Sequence, residues 1–272
     1  MGGIRAQRRP LVIAGDVMVD RWVHGHVAEC QDGCPKFVQH PGEVFEVPGG
    51  AANAERCLLH WGARVQLYGY AKNDCPIKTR YVEGGRIVYR ADDDGPPARG
   101  RGYGWARDMA MEMVRHAGAV LMSDYDKGFL TPEFIREVVA ECRKRSVPCI
   151  ADCKRAPEVY EGAILKCNEE YAEKHHIAMV KTATSWVVTK GNMPPYVQHI
   201  KGLTFLPTSE VKCVNHVGAG DCFAAHLALA MAYGFSLKDG AALAHSAGRC
   251  YVRHPHNRPP TPTEVEADLS AA

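Results

Sequence analysis

Five short aliphatic runs, at residues 11–14, 119–122, 147–150, 163–165 and 186–188, constrain this chain more than any other feature. Each is too short for a helix and lacks the alternation of a half-exposed strand, so each reads as a parallel strand buried on both faces. Most are separated by stretches with helix-start chemistry. Thr131 is an N-cap candidate, Pro132 suits the first helical position, and Phe134, Ile135, Val138 and Val139 follow at helical spacing. Strand and helix therefore alternate, which predicts a three-layer α/β fold built on a doubly wound, mostly parallel sheet. At 272 residues and 46% hydrophobic content, one domain over residues 1–272 can bury its core without disulfide or metal staples.

Two segments break the pattern. Residues 17–48 and 76–92 mix polar and apolar positions, nearly alternate over 78–90, and contain the Gly84-Gly85 turn. They predict a small antiparallel β element placed as a lid over the strand ends. Residues 92–106, rich in Asp, Pro and Gly, read as a loop.

Directly after the aliphatic runs stand Asp16, Asp124, Asp152, Asn168 and Thr189, one polar side chain per strand. Any one of them could be a helix cap. Together they mark the carboxyl ends of the strands, where open α/β sheets bind ligands. Lys and Arg number 33 against 31 Asp and Glu, and the signs are interspersed, which argues against nucleic acid or an anionic membrane as partner. A small molecule is the expected partner. The eleven cysteines are scattered through apolar segments, the first ten residues lack a signal-peptide core, and no run approaches a membrane span, so a cytoplasmic protein with reduced thiols is expected.

Two glycine-rich helix starts carry the chemistry. Val217-Gly218-Ala219-Gly220-Asp221 precedes a strong helical stretch; small residues let the backbone approach a phosphate, and the N–H groups of a helix start face it. An Asp in that turn either complements the helix dipole or takes a proton from an acceptor hydroxyl. Pro48-Gly49-Gly50-Ala51-Ala52-Asn53 is the second, and reads either as a tight turn with a local cap or as a sugar contact through Asn53. Neither G-x-x-x-x-G-K-[ST] nor G-x-G-x-x-G occurs, which disfavours a P-loop enzyme and a dinucleotide-binding dehydrogenase.

In order, G-D-V-M-V-D-R-W at 15–22, P-G-G-A-A-N at 48–53 and G-A-G-D at 218–221 resemble the ribokinase-like (PfkB) carbohydrate kinases nearly end to end. S-D-Y-D-K-G at 123–128, A-D-C-K at 151–154 and K-T-R-Y-V at 78–82 look closest to D-glycero-D-manno-heptose 7-phosphate kinases. The resemblance implies a ribokinase-like fold and ATP-dependent phosphorylation of a sugar phosphate, with Asp221 as catalytic base and the amides of Gly218, Ala219 and Gly220 as anion hole. It places Asp16, Asp20, Gly49, Gly50 and Asn53 on the sugar, with Lys154, Lys127 and Arg80 as candidates for its phosphate. Asp124 and Asp152 join this acceptor side as strand-end carboxylates. On the nucleotide side it implies Asn168, the Thr189-Lys190-Gly191 turn and His245. Mg²⁺ is expected to arrive on ATP rather than in a protein cage, and no metal ligand is assigned.

The chain departs from the family pattern in places. Tyr171 stands where N-x-x-E would have its Glu, Asn215-His216-Val217 precede the glycine loop, the chain between Tyr70 and Cys75 is short, and His254-Pro255-His256-Asn257 occupies the C-terminal loop. These departures support a rival reading as a retired kinase that binds sugar or nucleotide, against which the intact 218–221 element speaks. A kinase of the same fold for another sugar or a nucleoside is the other rival. His24-x-His26, His254-x-His256, His175-His176, Cys30-x-x-x-Cys34 and Cys149-x-x-x-Cys153 lack metal-site spacing and read as surface or structural residues, and the methionines at 109, 111 and 113 as core filler. An exposed lid edge makes a homodimer one candidate assembly, which the residues leave open.

Overall fold

The computed structural model describes residues 9–29, 33–70, 75–95, 102–182, 185–199 and 202–271. Its larger sheet has eight strands. The five expected from the aliphatic runs are β1 (Leu11–Gly15), β7 (Ala119–Ser123), β8 (Cys149–Asp152), β9 (Ile164–Asn168) and β10 (Ser185–Lys190). They are joined by β4 (Val65–Tyr68) beside β1, and by β11 (Met193–His199) and β12 (Gly202–Phe205) beyond β10. The order is β12-β11-β10-β9-β8-β7-β1-β4, parallel from β10 to β4 and antiparallel at the β11 and β12 edge. Pro194-Pro195 hid β11, because proline in a run argues against a strand that must donate to a ladder.

β1 shows why both faces are covered. Leu11 and Ile13 point to one side, and Val12 and Ala14 to the other, all fully buried. The Val12 side packs on α2 (Gly102–Val114), α3 (Pro132–Arg145) and α4 (Glu169–Thr182). The Leu11 side packs on α1 (Ala51–Cys57), α5 (Ala219–Ala232), α6 (Leu237–Val252) and α7 (Pro262–Ala271). Helix α5 is buried from Asp221 to Ala230, the signature of a helix enclosed on all sides. Thr131 caps α3 by accepting from the Phe134 amide at 3.3 Å, with Pro132 at the first position.

The second sheet is the expected β element. It holds β2 (Val17–Ala28), β3 (Lys36–Gly50), β5 (Ile77–Glu83) and β6 (Arg86–Asp93), in the order β3-β2-β5-β6. Pairing is antiparallel within β2–β3 and β5–β6, but β2 and β5 run parallel, correcting the all-antiparallel expectation. Periodicity identifies a strand and a tight turn identifies a hairpin, but neither sets how two hairpins meet. Gly84 and Gly85, at φ +54° and +81°, make the turn anticipated between β5 and β6.

The loop expected over 92–106 gives way to α2 at Gly102. Ala106, Ala110 and Val114 lie one helical turn apart and are buried, so packing overrides Gly104. Met111 and Met113 pack partly against the core, whereas Met109 is exposed. The 96–101 part of that loop, the 71–74 connection and Cys30 lie outside the described residues. Among the described residues no helix is long and apolar enough to cross a membrane, and Cys57, Cys142, Cys149, Cys153, Cys167, Cys222 and Cys250 are buried thiols.

Candidate active site

Two cavities open beside the start of α5. The first, about 460 Å³, lies between the four-stranded sheet and the strand ends, and Asp221, Gly218, Val217 and His216 form its inner wall. The second, about 230 Å³, lies on the other side of the same turn, against His216, Ala219, Gly220 and Phe223. The 216–221 turn therefore separates two compartments. A group transferred from one to the other passes this turn.

Gly218 makes the turn. Its φ of +84° is the left-handed region, and a Cβ there would lie 2.4 Å from the Tyr251 hydroxyl and 2.5 Å from Asn53 Nδ2. Helix α5 begins immediately after, so its first-turn amides lack partners within the helix. The Ala219 amide is the exception to the expected anion hole. It donates to the His216 carbonyl at 3.2 Å and so is not free to meet an anion.

Asp221 is buried and held at both oxygens. Tyr125 donates its hydroxyl to Oδ1 at 2.5 Å and Asn53 donates Nδ2 to Oδ2 at 3.0 Å. Burial pushes this carboxyl up to about 7, against the two hydrogen bonds that favour its charged form and with Asp152 and Asp20 adding to the rise. A carboxyl in that range can both release and take up a proton near neutral pH.

Several expected residues meet in the first cavity: Asp20 and Gly50, and from the cationic set Arg80, Lys127 and Lys154. Arg80 is paired with Asp20 at 2.7 Å, both nearly buried, and Lys127 with Asp94 at 2.5 Å, while Lys154 is exposed. Lys78, Arg90, Asp92 and Tyr125 line the cavity without having been anticipated. Lys78 is readable in hindsight, since it lies two positions from Arg80 on a strand whose alternate positions are buried. Burial pushes the Lys78 ammonium down, with Asp20 opposing, and its Nζ sits 4.4 Å above the centre of the Tyr125 ring.

Other expected acceptor contacts lie behind the cavity. Asp16 is fully buried and accepts from three backbone amides, Tyr125 at 2.8 Å, Lys127 at 3.1 Å and Phe129 at 3.1 Å. It anchors the 125–129 loop, and burial pushes its carboxyl up in spite of those donors. Asp124 is bound by Arg155, by the Tyr160 hydroxyl at 2.6 Å and by the Asp126 amide at 2.9 Å. Asp152 accepts from Lys166 Nζ at 3.0 Å on each oxygen. Gly49 gives room to Asp20, whose Oδ2 would lie 2.8 Å from a Cβ there. Asn53 reaches Asp221 rather than the cavity wall. A strand-end carboxylate that anchors a loop and one that binds a ligand have the same sequence signature.

Of the residues expected to contact a nucleotide, Thr189, Gly191 and His245 line the second cavity, together with Thr208, Ser209 and Arg249. Burial first, then Arg249, pushes His245 down to about 4, and its Nε2 lies 2.8 Å from Thr208 Oγ1. Lys190 instead pairs with Glu169 at 2.6 Å, and Asn168 caps α4 by accepting from the Tyr171 amide at 2.9 Å. Neither lines the cavity. Among the described residues no group of three or more His, Cys, Asp or Glu side chains is arranged to hold a metal.

Residues 112–264 match the model of the pfkB family carbohydrate kinases. The "Bifunctional protein HldE" of Caulobacter vibrioides is 28% identical over 97% of this chain, and that of Caulobacter sp. (strain K31) is 30% identical over 89%. The chain spans 64% and 59% of the lengths of those two relatives. Among solved structures, the ribokinase of Arabidopsis thaliana, complexed with ribose and ATP, superposes with a TM-score of 0.73 at 17% identity, covering 96% of this chain and 98% of that one. Phosphofructokinase-2 from Escherichia coli does so with a TM-score of 0.76 at 15% identity, covering 97% and 98%.

Proposed function

Because this chain belongs to the pfkB carbohydrate kinase family, we propose that it transfers the γ-phosphoryl group of ATP to the anomeric hydroxyl of a heptose 7-phosphate, with Asp221 as base. The observation that carries this reading is the placement of Asp221. A buried carboxyl pushed up to about 7 stands where two cavities meet at a helix start.

The acceptor hydroxyl gives its proton to Asp221 as its oxygen attacks the γ-phosphorus in line. The bond from that phosphorus to the β-bridging oxygen breaks, and ADP leaves with the bridging electrons. The first-turn amides at Gly220 and Asp221 face the charge that develops on the transferring group. Mg²⁺ arriving with ATP would supply further neutralisation of the phosphate charge. The second cavity would take the nucleotide: Gly220 and Gly191 add no side-chain bulk to its wall, and a His245 that burial keeps neutral offers a flat ring to an uncharged base.

The phosphorylated acceptor is supported by Lys78, Arg90, Lys127 and Lys154 on the first cavity and by the kinship with proteins named HldE. The four-stranded sheet would act as the lid, and its exposed Val44 and Tyr89, which share one cross-strand row, support a homodimer through that face. The reduced thiols suit a cytoplasmic protein.

A coupled ADP-release assay over phosphorylated and unphosphorylated sugars tests the reading. Turnover with heptose 7-phosphate, lost in Asp221→Asn with nucleotide binding retained, is the expected result. Lys154→Ala should raise KM for the phosphorylated acceptor about 10- to 100-fold, the worth of one charge-assisted contact. Equal turnover of acceptors with and without phosphate, unaffected by Lys154→Ala, would point to another sugar or a nucleoside. A flat panel would leave a binding module.

A further inference from the structure

The direction of the Tyr125 hydroxyl is set before any acceptor arrives. Its amide donates to Asp16, and Lys127 and Phe129 hang from the same carboxylate. Arg107 grips the far end of the loop through the carbonyls of Gly128 at 2.8 Å and Phe129 at 2.9 Å. The ring lies beneath Lys78, and its Cδ2 would be 3.6 Å from a Cβ at Gly50. From this fixed position the hydroxyl reaches Asp221 Oδ1 at 2.5 Å.

We propose that Tyr125 is the positioning residue of the base, holding the Asp221 carboxylate in one orientation and in its ionised form while the acceptor enters. The role rests on Asp221 being the proton acceptor. Each carboxylate oxygen already takes one donor, Tyr125 on Oδ1 and Asn53 on Oδ2, and each keeps a further lone pair for the acceptor hydroxyl. Tyr125 does not itself take the proton. Burial, then the neighbouring Asp221, pushes its phenol well above the ordinary tyrosine range, so it stays a donor throughout.

The contact acts on titration as well as orientation. Besides Tyr125 and Asn53, the groups whose fields reach Asp221 include Asp152 and Asp20, the ammonium groups of Lys166 and Lys78, the Tyr251 phenol and the Cys222 thiol. Of these Tyr125 alone gives the carboxylate a hydroxyl hydrogen bond within the described residues. Its loss should move the Asp221 titration up by about one to two pH units, the scale of one buried hydrogen bond to a charged group.

Carboxyl-¹³C NMR on protein labelled at aspartate reads this directly, with the Asp221 resonance identified by its absence from Asp221→Asn. Tyr125→Phe should raise the titration midpoint, and 3,5-difluorotyrosine at position 125, a stronger donor, should lower it. The acid limb of kcat/KM should follow both shifts, with KM for the acceptor unchanged. An unmoved midpoint in the folded variants overturns the inference, and so does a raised KM with an unmoved acid limb, which would make Tyr125 an acceptor contact. If Tyr125→Phe does not fold, the fluorinated protein decides alone. Turnover retained in Asp221→Asn would remove the base and this role with it, while the NMR shifts would still report the contact.

Discussion

Asn53 Nδ2 donates to Asp221 Oδ2 at 3.0 Å, tying the first turn of α1 to the first turn of α5 across 168 residues of chain. The same nitrogen lies 3.3 Å from the Gly218 carbonyl and 3.2 Å from the Tyr251 hydroxyl, so one amide group holds base, turn and neighbouring helix together. Asn53→Ala strips these acceptors of their donor and should cost about 1–3 kcal/mol of stability by urea denaturation, with kcat reduced about tenfold or more. Asn53→Asp should differ in kind. A second carboxyl against Asp221 pushes its titration higher, which a pH–rate profile reads as an acid limb displaced upward.

Asp221 also makes stability depend on pH. Its carboxyl titrates near 7 in the fold and near 3.8 when unfolded. Between those values the folded state holds a proton that the unfolded chain has released, so stability falls as pH rises through this window. Above about 7 the whole cost of a buried charge is present. Asp221→Asn removes it, so thermal melts should show the variant stabilised at pH 8 and unchanged near pH 4, while the wild-type acid limb of kcat/KM falls near 7.

The parts of the fold legible in the sequence are those with a local signature. Aliphatic runs marked β1, β7, β8, β9 and β10, Thr131-Pro132 marked the start of α3, and the glycines at 218 and 220 marked the turn that separates the cavities. Pairing between elements far apart in the chain left no such mark, so the parallel junction of β2 with β5 could not be read. The site divides along the same line. Asp221, Asp20, Arg80 and Lys154 sit in motifs and reach the first cavity, whereas Asp16 and Asp124 sit in the same motifs and face inward, because a carboxylate that accepts amides looks like one that binds sugar. Lys166 escaped notice altogether, as one lysine in a run of strand residues.

The two glycines of the turn should respond differently to alanine. At Gly218 a Cβ would meet the Tyr251 hydroxyl at 2.4 Å on a backbone at φ +84°, so both the fold of the turn and the base beside it are disturbed. At Gly220 the nearest atom is Lys166 Nζ at 3.0 Å, the flexible end of a side chain. Gly218→Ala is expected to lose about 1–3 kcal/mol and nearly all turnover. Gly220→Ala should keep its melting temperature within a few degrees and lose activity chiefly through KM for ATP. Differential scanning fluorimetry beside steady-state kinetics separates the two.

Lys166 and Asp152 face each other from the adjacent strands β9 and β8, Nζ lying 3.0 Å from both carboxylate oxygens, with side-chain exposures of 6% and 16%. Burial pushes the Lys166 ammonium down, but Asp152 outweighs it and the lysine ends above its ordinary range. The lysine's contribution therefore fades as the pH climbs through its raised folded value, and because burial pushes the Asp152 carboxyl up as well, the pair is also lost on the acid side. Breaking such a pair costs more than its presence is worth, because the remaining charge stays buried alone. Lys166→Met should lose about 3–5 kcal/mol at neutral pH, and Lys166→Met with Asp152→Leu should regain most of it. Urea denaturation of the two variants decides the matter: a double variant no more stable than the single one would show that the strands need the ion pair itself, not merely the absence of an unpaired charge.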